Sequence, residues 1–312
     1  MRLMVVGALA MMATGCAELS LPFSSDGILQ VATRGVVIHD DGTQANAGMY
    51  DTTCAVNTET GAVGADRDYP GVDEKVQDID RYQGIDAVVV TSVRGIHITP
   101  ADAVNWEQQE DIDRPNVLEA RLVDDEVVIL VDDPGDGCAV EWVHDGFAVG
   151  VDPALCQVEP DVSADPTLGG VYVAGGDLGA FQISQAGVTQ VDAAADLAVF
   201  DAFAEVLYVA RVGENWVRGL ESSGDLLWET DLGYPVLSID DMGWREAVAV
   251  LVEAESGNQV YALDAYTGEA TLETETPAGA QQIVVSRNGR DYALVLDQSV
   301  HFRAFERHGR DQ

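Results

Sequence analysis

A short phrase recurs along this chain at a nearly constant interval: a small apolar strand, a few polar residues, then a glycine or another turn former. Its seven copies end at Gly61, Asp102, Gly146, Gly187, Gly224, Gly268 and Gly309, in steps of 41, 44, 41, 37, 44 and 41 residues. A period near forty means one supersecondary unit per repeat, and four-stranded sheets arranged around an axis are built on that spacing. The spacing therefore predicts an all-β fold, a seven-bladed β-propeller, with six or eight blades as the alternatives. It fixes an architecture and leaves the ligand open.

A second series precedes the turns. Val88-Val89-Val90-Thr91, Val127-Val128-Ile129-Leu130-Val131, Val171-Tyr172-Val173-Ala174, Leu207-Tyr208-Val209-Ala210, Val248-Ala249-Val250-Leu251-Val252 and Tyr292-Ala293-Leu294-Val295-Leu296 are unbroken apolar runs. Four or five residues are too few for a helix, and unbroken rather than alternating apolarity marks a strand covered on both faces. No stretch sustains a helical period. In residues 191–203, Asp192, Asp196 and Asp201 interrupt any apolar stripe. Trp106, Trp228 and Leu272 each follow a turn position by four residues, which places them on one face of the next strand as plugs between blades. After Gly309 only Arg310-Asp311-Gln312 remain. The last blade then needs an outer strand from elsewhere, because an open edge invites aggregation. The expected donor is residues 28–33. The first blade then keeps residues 36–39 and 49–56 plus whatever strand follows Gly61, which leaves its completeness open, with residues 42–48 and 66–71 as loops.

Residues 1–16 read as a targeting segment: Arg2, an apolar run over residues 3–12, then Ala13-Thr14-Gly15-Cys16. Ten apolar residues are too few to span a bilayer. The ending resembles the lipobox of bacterial lipoproteins, against the alternative of an ordinary secretory signal. That resemblance implies that Cys16 is lipidated and begins the mature chain. With Ala17 next, it also implies an outer-membrane destination, facing the periplasm or the cell surface. Residues 17–26 form a tether, and residues 27–312 a single domain.

Val260-Tyr261-Ala262-Leu263-Asp264-Ala265-Tyr266-Thr267-Gly268-Glu269 and Leu220-Glu221-Ser222-Ser223-Gly224-Asp225-Leu226-Leu227-Trp228 resemble quinoprotein-type and YVTN-type propeller repeats, with Thr58-Glu59-Thr60-Gly61 a third, looser match. In such a turn the aspartate accepts backbone N–H bonds and glycine supplies a positive φ. Most copies lack the following tryptophan, and Asp102 stands where glycine is expected. The resemblance supports the fold more than any activity, though it points towards envelope organisation or protein assembly.

Fifty-four acids against sixteen bases give a formal charge of −38. No basic patch exists to displace counterions from phosphates, which argues against nucleic acid as a partner. An anionic bilayer would be repelled too, so membrane attachment falls to acyl chains on Cys16. Acid-rich, lysine-poor surfaces resemble those of salt-adapted proteins. The plainer alternative is a very soluble extracytoplasmic domain.

Three further cysteines occur. Cys138 lies eight residues before Gly146 and Cys156 ten after it, so a hairpin turning there would set them opposite one another on neighbouring strands, and a disulfide is expected. Cys54 is left over and reads as a small buried apolar residue. The five histidines show no paired metal spacing. His144 and His308 fall in turns, while His39 and His97 lie in or at the ends of strands that could face the axis. Asp132-Asp133-Pro134-Gly135-Asp136-Gly137 has the composition of a calcium loop without its order, and a tight turn explains it. Val173-Ala174-Gly175-Gly176-Asp177-Leu178-Gly179 is followed by a strand, not the helix a dinucleotide site needs. Nucleophile motifs are absent, and neither metal nor cofactor is expected. These features favour a binding or scaffolding module with a protein or peptide partner on a loop face. The alternative is a funnel enzyme of lactonase, glycosidase or quinone-dehydrogenase type.

Overall fold

The computed structural model of the chain describes residues 28–29, 36–38, 44–49, 52–57, 63–68, 74–100, 110–135, 137–276, 278–286, 288–297 and 299–305. The targeting segment with Cys16, the tether, and His39, Gly61, Asp102, Trp106, His308 and Gly309 lie outside the described residues.

The described chain is organised as seven four-stranded sheets. β1 (Ile28–Leu29) stands apart from the first sheet, which holds β2 (Val36–Ile38), β3 (Gln44–Met49), β4 (Thr52–Asn57) and β5 (Val63–Asp68). The second holds β6 (Glu74–Tyr82), β7 (Ile85–Ser92), β8 (Gly95–Pro100) and β9 (Glu110–Ile112), and the third β10 (Val117–Val123), β11 (Glu126–Asp133), β12 (Gly137–Trp142) and β13 (Phe147–Gly150). The fourth comprises β14 (Asp161–Asp165), β15 (Gly170–Ala174), β16 (Ala180–Ser184) and β17 (Gly187–Asp192). The fifth comprises β18 (Leu197–Asp201), β19 (Val206–Ala210), β20 (Trp216–Glu221) and β21 (Leu226–Asp231). The sixth is β22 (Val236–Asp241), β23 (Ala247–Ala254), β24 (Gly257–Asp264) and β25 (Ala270–Thr276). The seventh takes β26 (Ala280–Val285), β27 (Asp291–Leu296) and β28 (Ser299–Ala304), with β1 as its fourth strand.

Neighbouring strands within each sheet are antiparallel, as short hairpin connections require. The first strand of every sheet touches that of the next, and β26 touches β2, so the sheets close into a ring around an axis lined by first strands.

The unbroken apolar runs are the second strands, and their two-faced burial explains their composition. On β23, Val248, Val250 and Val252 pack against the fifth sheet, while Ala247, Ala249 and Leu251 pack against the seventh. Alternate residues of one strand thus fill two different seams, so the run from Ala247 to Val252 carries no polar side chain. The core is a set of such seams rather than a central mass.

The recurrent turns that are described join third to fourth strands. Gly146, Gly224 and Gly268 adopt φ of +63°, +91° and +67°, a region that glycine enters without the Cβ clash. Asp264 Oδ1 accepts the backbone N–H groups of Tyr266 (3.1 Å) and Thr267 (3.0 Å) and the Thr267 hydroxyl (2.9 Å). Residues 175–179 form a hairpin turn between β15 and β16, closed by Gly175 N–H donating to Gly179 O at 2.9 Å.

β1 pairs antiparallel with β28, Ile28 opposite His301 and Leu29 opposite Val300, so an N-terminal strand supplies the seventh sheet's fourth member. The first sheet has its full four strands, β5 being the one that follows position 61 in sequence. β3 covers most of residues 42–48, and β5 includes residues 66–68, both of which were expected to be loops. β3 lacks the β-branched signature because Ala45 and Ala47 pack against Val284, Ala293 and Phe302 across the closing seam, where small side chains fit.

Trp228 on β21 is buried between the fifth and sixth sheets, and its indole N–H donates to Ala265 O at 2.7 Å. Its ring lies where a Cβ on Gly219 or Gly268 would come within 2.4–2.6 Å, so both glycines make room for it. Leu272 does not repeat this role: it is 44 % exposed. A register shift between Val260 and Tyr261 in the β24–β25 pairing moves the buried position to Glu273.

Cys138 and Cys156 form the expected disulfide, with Cα atoms 5.8 Å apart. The geometry differs from two facing strands. Cys138 is on β12, but Cys156 lies beyond β13 in a 3₁₀ turn, Leu155–Gln157, so the bond ties the connection into the fourth sheet back onto the third.

Candidate functional site: the axial channel and its mouth

The ring encloses a cavity of about 1010 Å³ walled by residues from the first strands of all seven sheets, β2, β6, β10, β14, β18, β22 and β26. The inner edge of a first strand has no further strand to pair with, so its N–H groups need acceptors from side chains. Aspartates and serines of the preceding sheet supply them. Asp78 Oδ2 accepts Leu122 N–H (2.9 Å), Asp161 Oδ2 accepts Ala198 N–H (3.0 Å), and Ser163 Oγ accepts Phe200 N–H (2.9 Å). Ser238 Oγ accepts Ile283 N–H (3.3 Å) and Asp240 Oδ2 accepts Val285 N–H (2.7 Å). These bonds tie the second sheet to the third, the fourth to the fifth and the sixth to the seventh. Much of the channel's acidity is therefore structural.

Among the described residues the cavity wall carries five carboxylates (Asp78, Asp80, Asp161, Asp240 and Asp241) and two guanidinium groups, Arg121 and Arg290. Arg121 donates to Gln77 Oε1 (3.2 Å), Glu119 Oε2 (3.1 Å) and Ala120 O (2.8 Å). Lys75, the chain's single lysine, pairs with the other oxygen of Glu119. Burial pushes the Asp161 carboxyl above its usual range, against the pull of Arg121 and of the Ala198 N–H. Burial pushes Asp240 well above its usual range too, and the adjacent Asp241 carboxylate adds to it.

One end of the channel is rimmed by the turns between first and second strands, and here the sequence reading missed a pattern. Asp201, the last residue of β18, accepts the N–H groups of Phe203 (2.8 Å) and Ala204 (3.0 Å) and the Tyr208 hydroxyl (3.3 Å). That turn buries Ala204 and leaves Phe203 55 % exposed. Asp241, the last residue of β22, accepts Gly243 N–H (3.2 Å), opening a 3₁₀ turn, Gly243–Arg245, whose Trp244 is 67 % exposed. Asp165 ends β14 in the same way and accepts Leu168 N–H (3.2 Å), with Leu168 half exposed. Phe203 and Trp244 meet edge to face, ring centroids 6.0 Å apart, and both line the cavity. Each is followed by a glutamate in the left-handed region, Glu205 at φ +56° and Glu246 at φ +49°, where the neighbouring turns place Gly169 and Gly289. The signal was present as Asp-x-Phe and Asp-x-x-Trp, but it acquires meaning only once the strand ends are known.

The overall likeness to other propellers is now measurable. No protein-family model matches the sequence, and no curated protein does. Among solved structures, the β-propeller domain of Cps50 (Swd1) from Myceliophteria thermophila superposes with a TM-score of 0.64. The match is 11 % identical and covers 88 % of this chain and 97 % of that one. A chain of the mitotic checkpoint complex gives a TM-score of 0.65 at 11 % identity, covering 92 % of this chain and 98 % of that one. The chain is a β-propeller. Identity that low speaks to fold alone.

The remaining candidates fall elsewhere. His97 does not line the axial cavity. It sits on β8, the third strand of its sheet, with Nε2 3.0 Å from Ser92 Oγ and Nδ1 2.8 Å from Asp111 Oδ1. The atoms follow the order of a nucleophilic triad, yet the burial runs the wrong way. Ser92 and His97 are buried while the Asp111 side chain is 60 % exposed. Acyl transfer needs an accessible hydroxyl and a sheltered carboxylate, so the array reads as a clamp across β7, β8 and β9. His144 shares the Tyr82 hydroxyl (2.5 Å), which donates to Glu110 Oε2 at 2.7 Å. His301 lies on β28, and burial lowers its pKa. Asp132 and Asp133 end β11 and Gly137 begins β12 opposite Asp133, with Arg114 held by Asp133 (2.8 Å). No cluster of three metal-ligating side chains occurs among the described residues.

Proposed function

We propose that this protein is a lipid-anchored, extracytoplasmic binding or scaffolding module of the cell envelope. It takes a protein or peptide partner on the channel face that carries Leu168, Phe203 and Trp244. One observation carries the binding reading: two large aromatic side chains, packed on each other, stand exposed at the mouth of a cavity whose deeper acids are largely engaged in holding the ring together. Exposed aromatics beside a concavity are a usual mark of a recognition surface. Anchoring rests on the sequence around Cys16, and the outer-membrane address on Ala17.

The test uses the full chain expressed with its N-terminus intact. Recovery from solubilised envelopes should yield a stoichiometric protein partner with the native chain, and lose it with the Phe203→Ser/Trp244→Ser double variant. Val93→Ser/Val212→Ser, at exposed positions in loops between second and third strands, should retain it. Cys16→Ser should move the protein out of the membrane fraction. Equal recovery by both double variants would overturn the binding face.

The funnel-enzyme alternative has one observation in its favour. A carboxyl pushed well above its usual range in a cavity, as Asp240 is, is what a general acid requires. Its engagement with the Val285 and Asp241 N–H groups gives it a structural task already.

A further inference from the structure

The direction of a single strand decides which way the recognition face looks once the chain is anchored. We propose that the face carrying Leu168, Phe203 and Trp244 is turned towards the membrane that holds Cys16, and that its partner is the loop region of a protein embedded in that same membrane. This rests on the anchoring and binding reading above and adds the orientation of the disc and the class of partner.

In a sheet of four antiparallel strands, the first-to-second and third-to-fourth turns share one end, and the other connections share the opposite end. Hydrogen bonds between turns agree. Ala265 N–H, just after β24, donates to Glu246 O, just before β23, at 2.9 Å. Gln185 Nε2 donates to Asp145 Oδ2 at 2.9 Å, joining successive third-to-fourth turns. The mouth side therefore carries both sets of turns. β1 is a fourth strand, with Ile28 opposite His301 and Leu29 opposite Val300, so it runs towards Ser299, where β28 starts, and away from the mouth side. The chain thus arrives at Ile28 from the mouth side. Between Cys16 and Ile28 stand eleven residues (27 − 16 = 11), which reach at most about 40 Å fully extended. To show the opposite face to the bilayer they would first have to cover the height of a strand, about 20 Å. The mouth-inward orientation leaves them the most freedom.

The exposed apolar side chains follow the same polarity. Every exposed phenylalanine, tyrosine and tryptophan among the described residues (Phe147, Phe203, Trp244 and Tyr266) lies at the mouth-side ends of the sheets, together with Leu168 and Leu226. The opposite side offers the smaller Val93, Val158 and Val212. Aromatic enrichment marks the surface that a protein partner covers. Lipid is the poorer occupant, because Glu205 and Glu246 are exposed beside the aromatic turns. Anionic headgroups would repel them and a net charge of −38. A gap no wider than the tether's reach suits the loops of a membrane-embedded protein, and sharing one membrane holds disc and loops at a high effective concentration.

The experiment places the full chain, purified with its N-terminus intact, in phosphatidylethanolamine vesicles that contain a trace of acceptor-labelled headgroup lipid. In a Cys54→Ala background, a donor dye on Leu226→Cys should transfer energy at least about twofold more efficiently than one on Val212→Cys, given the strand height between them. Lengthening the tether by about forty Gly/Ser residues should remove the difference. A second measurement uses intact envelopes and a protease site set into the tether. A photoreactive phenylalanine analogue at position 203 should form adducts that stay in the membrane after tether cleavage and an alkaline wash, and one at position 212 should not. Equal transfer, or more from Val212→Cys, would overturn the orientation, while partner loss in Phe203→Ser/Trp244→Ser would still uphold the binding face. Adducts released by the wash, or none at all, would overturn the membrane-embedded partner. Quenching of Trp244 fluorescence by brominated acyl chains, taken against Trp244→Phe, would mean that lipid itself covers the face and would overturn it too. A native chain no better retained by vesicles than Cys16→Ser would instead overturn the anchoring reading, and this inference with it.

Discussion

Asp240 holds Val285 N–H on one oxygen and Asp241 N–H on the other, beside the Asp241 carboxylate. Burial raises its carboxyl pKa above the ordinary value of 3.8, and Asp161 is raised in the same direction. The sign of the consequence follows from proton counting. Between the unfolded and folded pKa values the folded chain binds more protons than the unfolded chain, so stability falls as pH rises through that window. Above the folded pKa the penalty is complete and constant. Asparagine keeps an acceptor for the Val285 N–H and cannot ionise. Asp240→Asn should therefore show a shallower loss of unfolding midpoint as pH climbs from about 4 towards neutrality. Chemical denaturation of both proteins across that range is the measurement. Parallel pH profiles would mean that Asp240 does not titrate in the folded state as its surroundings imply.

Among the elements, the shortest described strand has the largest topological consequence. β1 pairs with β28 through Ile28 and Leu29, and without it the seventh sheet would present β28 as an open edge beside the closing seam. Deleting residues 28–33 should lower the unfolding midpoint and promote self-association, and a synthetic peptide of those residues should reverse both. Calorimetry with light scattering reads the pair of effects, and an unchanged midpoint would show that closure does not depend on this strand. The donor strand was legible because the last repeat stops short and an unpaired edge must be covered. The second strands were legible for an equally physical reason: burial on two faces forces unbroken apolar runs such as those of β11 and β23. β3 and the second half of β5 were not, since their strand character comes from their partners and not from their own composition. The Cys138–Cys156 pair could be read from spacing, but the 3₁₀ turn that presents Cys156 could not. The mouth was least legible of all. Phe203 and Trp244 lie 41 residues apart in sequence and become neighbours only because successive sheets repeat the same turn. His97, Ser92 and Asp111 are likewise joined across strands, where no local motif records the contact.

At the scale of the whole molecule, charge decides how stability responds to the medium. Several bases are shared between acids: Arg114 between Asp133 and Glu141, Arg211 between Asp177 and Asp196, Arg218 between Asp192 and Glu229. Salt weakens the more exposed of these, such as Arg211–Asp177, and a surface pair is worth only about 0–1 kcal/mol. It also screens repulsion among the remaining acids, and the count settles which effect wins. Sixteen bases can offset at most sixteen of fifty-four acids, leaving 38 negative charges (54 − 16 = 38) uncompensated. Repulsion is the larger quantity, so added sodium chloride should raise the unfolding midpoint, with most of the rise complete once the screening length falls to a few ångströms, at about 1 M. A neutral osmolyte at matched water activity serves as the control for general burial effects. Thermal melts across a salt series measure the effect. A midpoint that falls with salt would mean that the ion pairs outweigh the repulsion.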